Sequence, residues 1–111
     1  MTMTELNEST AEFIAELART ADRLESLPIQ RLERPDEQGV TPAERVRTLC
    51  QSWARVNGDT APVPELAASA SGAMLRVIGA ELAEQFPAAT RDDQRKWTQQ
   101  VRELRDFLYL G

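Results

Sequence analysis

The chain has 111 residues, 41% hydrophobic and 28% charged, with no histidine, one cysteine and a net charge of −5. That length fits one domain able to bury a core without staples. The missing histidine removes histidine-based acid–base catalysis, histidine-ligated zinc or haem and Glu-x-x-His di-iron bundles, and the acidic balance disfavours nucleic acid and anionic membranes, which demand a basic surface.

The first ten residues, MTMTELNEST, lack the basic region and apolar core of a secretory signal. No apolar run approaches the ~20 residues of a membrane span. A cytoplasmic protein is therefore expected. Fifteen alanines and few strand formers favour helix. Ser9 and Glu12 have capping-box spacing, and Phe13, Leu17, Ala21 and Leu24 follow on one face. This predicts a first helix over roughly 10–26, with a start near Thr4 as the alternative. Residues 1–26 carry six acids (Glu5, Glu8, Glu12, Glu16, Asp22, Glu25) against Arg19 and Arg23, which makes this the most acidic part of the chain. Pro28 closes the helix. SLPIQRL has room for one short turn capped by Ser26, with Ile29 and Leu32 on one side, and RPDEQG at 34–39 is a turn.

Thr41-Pro42-Ala43-Glu44 is the strongest helix start: a capping threonine, proline at the first helical position and the reciprocal glutamate. Val46, Leu49, Cys50, Trp53 and Ala54 share a face over 42–57, and Asn57-Gly58 suits a helix stop. Helix four is expected over 91–109. Thr90 and Asp93 are a weaker cap, and Trp97, Val101, Leu104 and Leu108 form its stripe.

PELAASASGAMLRVIGAEL, from Pro64 to Leu82, reads two ways. As one helix over 64–86 it carries two apolar stripes: Leu66, Ala70, Ala73, Val77 and Ala80, then Leu75, Ile78, Leu82 and Phe86. Ala68, Gly72, Gly79 and Ala83 make a small-residue seam that lets a neighbour approach closely. A helix apolar over so much of its circumference is central, with partners on several sides. The alternative is a helix-turn-helix broken at Ser71–Ala73. With the helix at 42–57 in support, the region resembles a winged-type DNA-binding domain in outline. It would contact DNA through Ser69, Ser71 and Arg76. Base and phosphate contacts need several Arg, Lys, Asn or Gln side chains. From Ala73 to Phe86 Arg76 is the only arginine, and Glu81 and Glu84 would repel phosphates. The single buried helix is the favoured expectation.

Chemistry-bearing residues are sparse. Cys50 lies on an apolar face with no histidine to activate it, so an inert thiol is expected. Asp92-Asp93 and Asp36-Glu37 are adjacent pairs whose side chains point apart on a helix; Asp92-Asp93 suits the first turn of a helix dipole. The five glycines form no phosphate loop. Helical pericyclic mutases of the chorismate mutase kind need an arginine and a lysine on the first long helix, and here Arg19 and Arg23 come without lysine. No enzymatic role, cofactor or metal is expected.

Three surfaces remain for binding: the acidic face of helix one, the aromatic end RDFLYLG, and the second apolar stripe of 64–86, which a homodimer would cover if the monomer does not. Trp53, Trp97, Phe107, Tyr109 and Leu110 are the candidate interface residues, because aromatics carry most interface energy. Plain core is the competing reading of both tryptophans. LESLPIQRL at 24–32 with PVPELAASASGAMLRVIGAELA resembles small actinobacterial helical proteins of undefined activity. The resemblance implies a cytosolic helical protein, and the excess of arginine over lysine agrees with it. The expectation is an all-α, single-domain four-helix bundle that binds another protein or a second copy of itself, with helix-turn-helix DNA binding as the alternative.

Overall fold

Residues 3–59 and 61–110 are described by a computed structural model, without the side chains of 3–7 and 110. All regular structure among them is helical: α1 (Met3–Ser26), α2 (Ile29–Leu32), α3 (Pro42–Val56), α4 (Ser71–Ala83) and α5 (Arg91–Leu110), with 3₁₀ turns at Ala68–Ala70 and Phe86–Ala88. α1 begins well before Ser9, so the expected capping box at Ser9–Glu12 falls inside a helix whose backbone amides are already bonded. α2 starts after Pro28 and not at Ser26, whose hydroxyl bonds the Arg23 carbonyl at 2.8 Å. Leu32 is buried there, while Ile29 is exposed.

The start of α3 matches its sequence signal. The Thr41 hydroxyl accepts from the Glu44 amide at 3.1 Å, and the Glu44 carboxylate accepts from the Thr41 amide at 3.2 Å. Gly58 takes the left-handed turn that stops the helix, at φ +89°, while Asn57 stays right-handed. Asp36 braces the turn before α3 by accepting from the amides of Gln38 and Val40 and pairing with Arg45. These hydrogen bonds, the Arg45 one foremost, hold its carboxyl below the usual carboxylate range.

Residues 64–86 form neither the continuous helix nor the helix-turn-helix. Residues 62–67 are non-helical, and Ser71–Ala73 is the first turn of α4. The cause lies in Pro62-Val63-Pro64. A residue before proline is pushed toward extended geometry, and Val63 is then pinned along α3. Its amide donates to Gln51 Oε1 at 2.7 Å, its carbonyl accepts from Arg47 at 3.0 Å, and its side chain is buried. At the other end α4 stops at Ala83; Glu84 and Gln85 stay right-handed, the 3₁₀ turn Phe86–Ala88 follows, and the chain becomes extended at Ala89.

Pairings along the chain set the helix directions. Arg102 bonds Glu12, Arg105 bonds Glu16, and Arg23 lies over Tyr109, so α1 and α5 run parallel. Gly72 meets Ala21 and Glu25 while Gly79 meets Leu17, so α4 is antiparallel to α1. Trp53 Nε1 donates to Gln100 at 2.9 Å and Arg45 lies over Phe107, so α3 is antiparallel to α5. At the centre four rings form a chain: Trp53 to Phe13 at 5.6 Å, Phe13 to Phe86 at 4.9 Å, and Phe86 to Trp97 at 5.5 Å. Aromatic pairs at such distances add about 0.5–1.5 kcal/mol each beyond area burial. The predicted stripes of α1 (Phe13, Leu17, Ala21, Leu24) and α5 (Trp97, Val101, Leu104, Leu108) are all buried. Buried Gln94 ties α5 to the preceding turn by donating to the Phe86 carbonyl at 2.8 Å.

Candidate functional site

The five candidate interface residues separate into core and rim. Trp53 and Trp97 are 1% and 5% exposed, so both belong to the core and neither is presented to a partner. In FLYL the helix divides the side chains as the spacing requires. Leu108 is buried, Phe107 is half-buried under the Arg45 guanidinium at 4.2 Å, and Tyr109 is exposed with the Arg23 guanidinium 4.4 Å from its ring centre. Leu110 ends α5, and its side chain lies outside the described residues.

The three alternative DNA-contact residues do not converge. Ser69 is exposed in the 3₁₀ turn, whereas Ser71 is buried with its hydroxyl donating to the Ala68 carbonyl at 2.7 Å. Arg76 turns toward α1, donating to Glu25 at 2.8 Å and bonding Asp22. Those bonds raise the arginine's affinity for its proton and lower that of Glu25. Cys50 is fully buried in α3, and burial pushes its thiol up to about 12. It is therefore uncharged at neutral pH and a poor nucleophile. Asp92 and Asp93 are exposed in the first turn of α5. Among the described residues no group of three His, Cys, Asp or Glu is placed to hold a metal ion, and no helix is long and apolar enough to cross a membrane.

The two stripes of α4 exchange the roles expected from sequence. Leu75, Leu82 and Phe86 are buried with the Gly72, Gly79 and Ala83 seam, and Ile78 is half-buried. The outward stripe is the other one: Ala73, Val77 and Ala80 are exposed, Val77 at 60%, and Leu66 is 51% exposed before the helix. This was legible only in part, because both stripes have helical spacing and nothing in sequence says which meets α1. The glycines decide it, since their missing Cβ atoms admit the α1 backbone and side chains.

A second apolar element lies across the seam. Ile14 is 50% exposed and Ala18 half-buried. Positions 14, 18 and 25 follow i, i+4, i+11 spacing and share one flank of a helix. Glu25 on that flank holds Arg76 of α4, so the flank borders α4. Val77 comes five residues after Gly72 and two before Gly79, so at 3.6 residues per turn it points away from the glycines that meet α1. Arg76, the residue before it, has its charge matched by Asp22 and Glu25. No family model, curated protein or solved structure matches the chain.

Proposed function

We propose that this chain is a non-enzymatic interaction module on a four-helix-bundle scaffold, and that it pairs with a second copy of itself through the outward stripe of α4. The observation that carries the reading is the uncovered apolar stripe of α4, where Ala73 and Ala80 are exposed and Val77 is 60% exposed. Two features favour a second copy. A stripe of Ala73 and Ala80 around one aliphatic side chain, Val77, is low enough for helices to approach closely. A two-fold axis sets the same patch against itself, so one strip covers both chains without a complementary partner surface. The charge of Arg76 is satisfied within its own chain, so burying the face leaves no cation unpaired.

Light scattering and sedimentation across micromolar to millimolar concentration test this. The expected result is a concentration-dependent mass rising from the 12.4 kDa of one chain toward twice that value. Val77→Glu places like charges across the two-fold and should hold the protein monomeric with its helical content unchanged. A wild-type chain that stays monomeric throughout would overturn self-pairing.

A further inference from the structure

Helix α1 borders a second surface, of opposite character, on its α5 side. Arg19, Asp22, Arg23 and Ser26 of α1 face Arg105 and Tyr109 of α5 across a cleft of about 490 Å³. Three guanidiniums from two helices meet there, in a molecule whose net charge is −5.

Their local counter-charges do not balance them. Glu16 bonds Arg105 and reaches Arg19 only at 3.5 Å, and it is shared with Arg102. Asp22, which also lines the cleft, is drawn to Arg76 of α4. Among the described residues Arg23 has no carboxylate partner; its guanidinium lies 4.4 Å from the Tyr109 ring centre, and its Nε–H is buried without an acceptor. A buried donor left unpaired is costly and calls for an explanation. Helix dipoles explain part of the pattern, because Arg23 sits in the last turn of α1. They do not explain Arg19 or Arg105, which lie farther from their helix ends than the final turn over which the dipole acts.

We propose that this cleft binds a phosphomonoester. Five arginines (Arg19, Arg23, Arg76, Arg102 and Arg105) share four carboxylates (Glu12, Glu16, Asp22 and Glu25) in and around the cleft, so one positive charge is left over, at Arg23, which has no carboxylate partner among the described residues. The guanidinium forks and the Tyr109 hydroxyl offer more donors than the two oxygens of one carboxylate accept. The three peripheral oxygens of a phosphomonoester take them, with arginine's planar fork giving paired hydrogen bonds. The Arg23–Tyr109 stack holds one guanidinium in place before the ligand arrives, which lowers the ordering cost of binding.

The test is a titration of ¹⁵N-labelled protein, reading the arginine Nε–Hε signals, with inorganic phosphate, glycerol phosphate and a phosphoserine peptide. Chloride and acetate at matched ionic strength are the controls. The Arg19, Arg23 and Arg105 signals should shift saturably with the phosphates, and affinity should rise as pH passes about 6 and the dianion forms. Arg23→Gln should weaken binding by about tenfold or more, the scale of one lost charge-assisted hydrogen bond. Arg19→Gln, at a side chain 68% exposed, removes a cation without disturbing the core and should weaken binding by a smaller factor. A tighter peptide than glycerol phosphate would identify a protein-borne phosphate, and the reverse order a small metabolite. Acetate binding as well as phosphate, or Arg23→Gln binding phosphate like the wild type, would overturn the proposal. Val77→Glu should leave the titration unchanged, so this result and the oligomeric state fail or succeed separately.

Discussion

On the flank of α1 that meets α4, contact is made by removing atoms. A Cβ on Gly79 would stand 2.6 Å from both methyls of Leu17, and one on Gly72 2.7 Å from Glu25 Cγ. On the flank that meets α5, contact is made by placing charge. Glu16 is 7% exposed and bonded to Arg105, with Arg102 and Arg19 each at 3.5 Å, and Arg102 also bonds Glu12. Both neighbours of one helix are fixed in register, by shape on one side and by ion pairs on the other. The difference has an energetic meaning. A glycine seam gains dispersion and loses little to desolvation, while a buried carboxylate is stabilising only as long as its cations stay.

The largest effect expected from this contrast is on the charged flank. Glu16→Gln leaves Arg105, 19% exposed, without its carboxylate and strips Arg102 of one of two partners. Breaking a fully buried pair costs about 3–5 kcal/mol; the water still reaching these arginines lowers the expectation to about 2–3 kcal/mol. Urea unfolding followed by tryptophan fluorescence reads this directly. A loss below the scatter of the measurement would mean that α5 is held by its apolar stripe alone. Because Glu16 is enclosed, the loss should persist at high salt.

The shape flank should respond less, and unequally along its length. Gly79→Ala drives a methyl into buried Leu17, and overpacking of about 1–3 kcal/mol outweighs the gain of about 1 kcal/mol in helix propensity. A net loss of about 1–2 kcal/mol is expected. At Gly72 the nearest atom belongs to the exposed stem of Glu25, which swings into water, and the Ala21 carbonyl at 3.1 Å is the firmer obstacle. Gly72→Ala should therefore cost less than Gly79→Ala, within about 1 kcal/mol of wild type. The reverse order in urea unfolding would show that the backbone contact, and not the leucine, sets the helix spacing.

The two flanks were not equally legible in the sequence. The glycine seam was readable because Gly72, Gly79 and Ala83 repeat on one face of an otherwise apolar segment. The charged flank was missed. Glu12 and Glu16 on one helix, with Arg102 and Arg105 on another, look like ordinary solvated faces until it is known that the helices run parallel. Buried Thr20 was hidden for a related reason: its hydroxyl is satisfied by the Glu16 carbonyl of its own helix at 2.9 Å, a local bond with no sequence signature. The Thr41–Glu44 cap was legible because all its partners lie within four residues. The start of α4 was not, because a long-range contact, Val63 against Arg47 and Gln51, overrides the helix propensity of an alanine-rich run.

The smallest expected effect lies where the two modes meet, at the Arg76 pair on the rim of the glycine seam. Glu25 and Asp22 are exposed, so their bonds to Arg76 are open to salt in a way the Glu16 bonds are not. The Arg76 hydrogen bond is the main cause holding the folded-state carboxyl of Glu25 below its usual 4.5. A carboxyl lowered on folding contributes stability that is present above 4.5 and lost as pH falls through the folded-state value. Arg76→Gln should therefore be slightly less stable than wild type near pH 7 and equal to it near the acid end of the transition. The difference should also vanish in concentrated salt at neutral pH, while the Glu16→Gln deficit remains. Parallel urea titrations of both variants across pH and salt separate the two cases. A salt-resistant Arg76 deficit would mean that its side-chain stem seals the seam by packing, and that shape governs this flank to its edge.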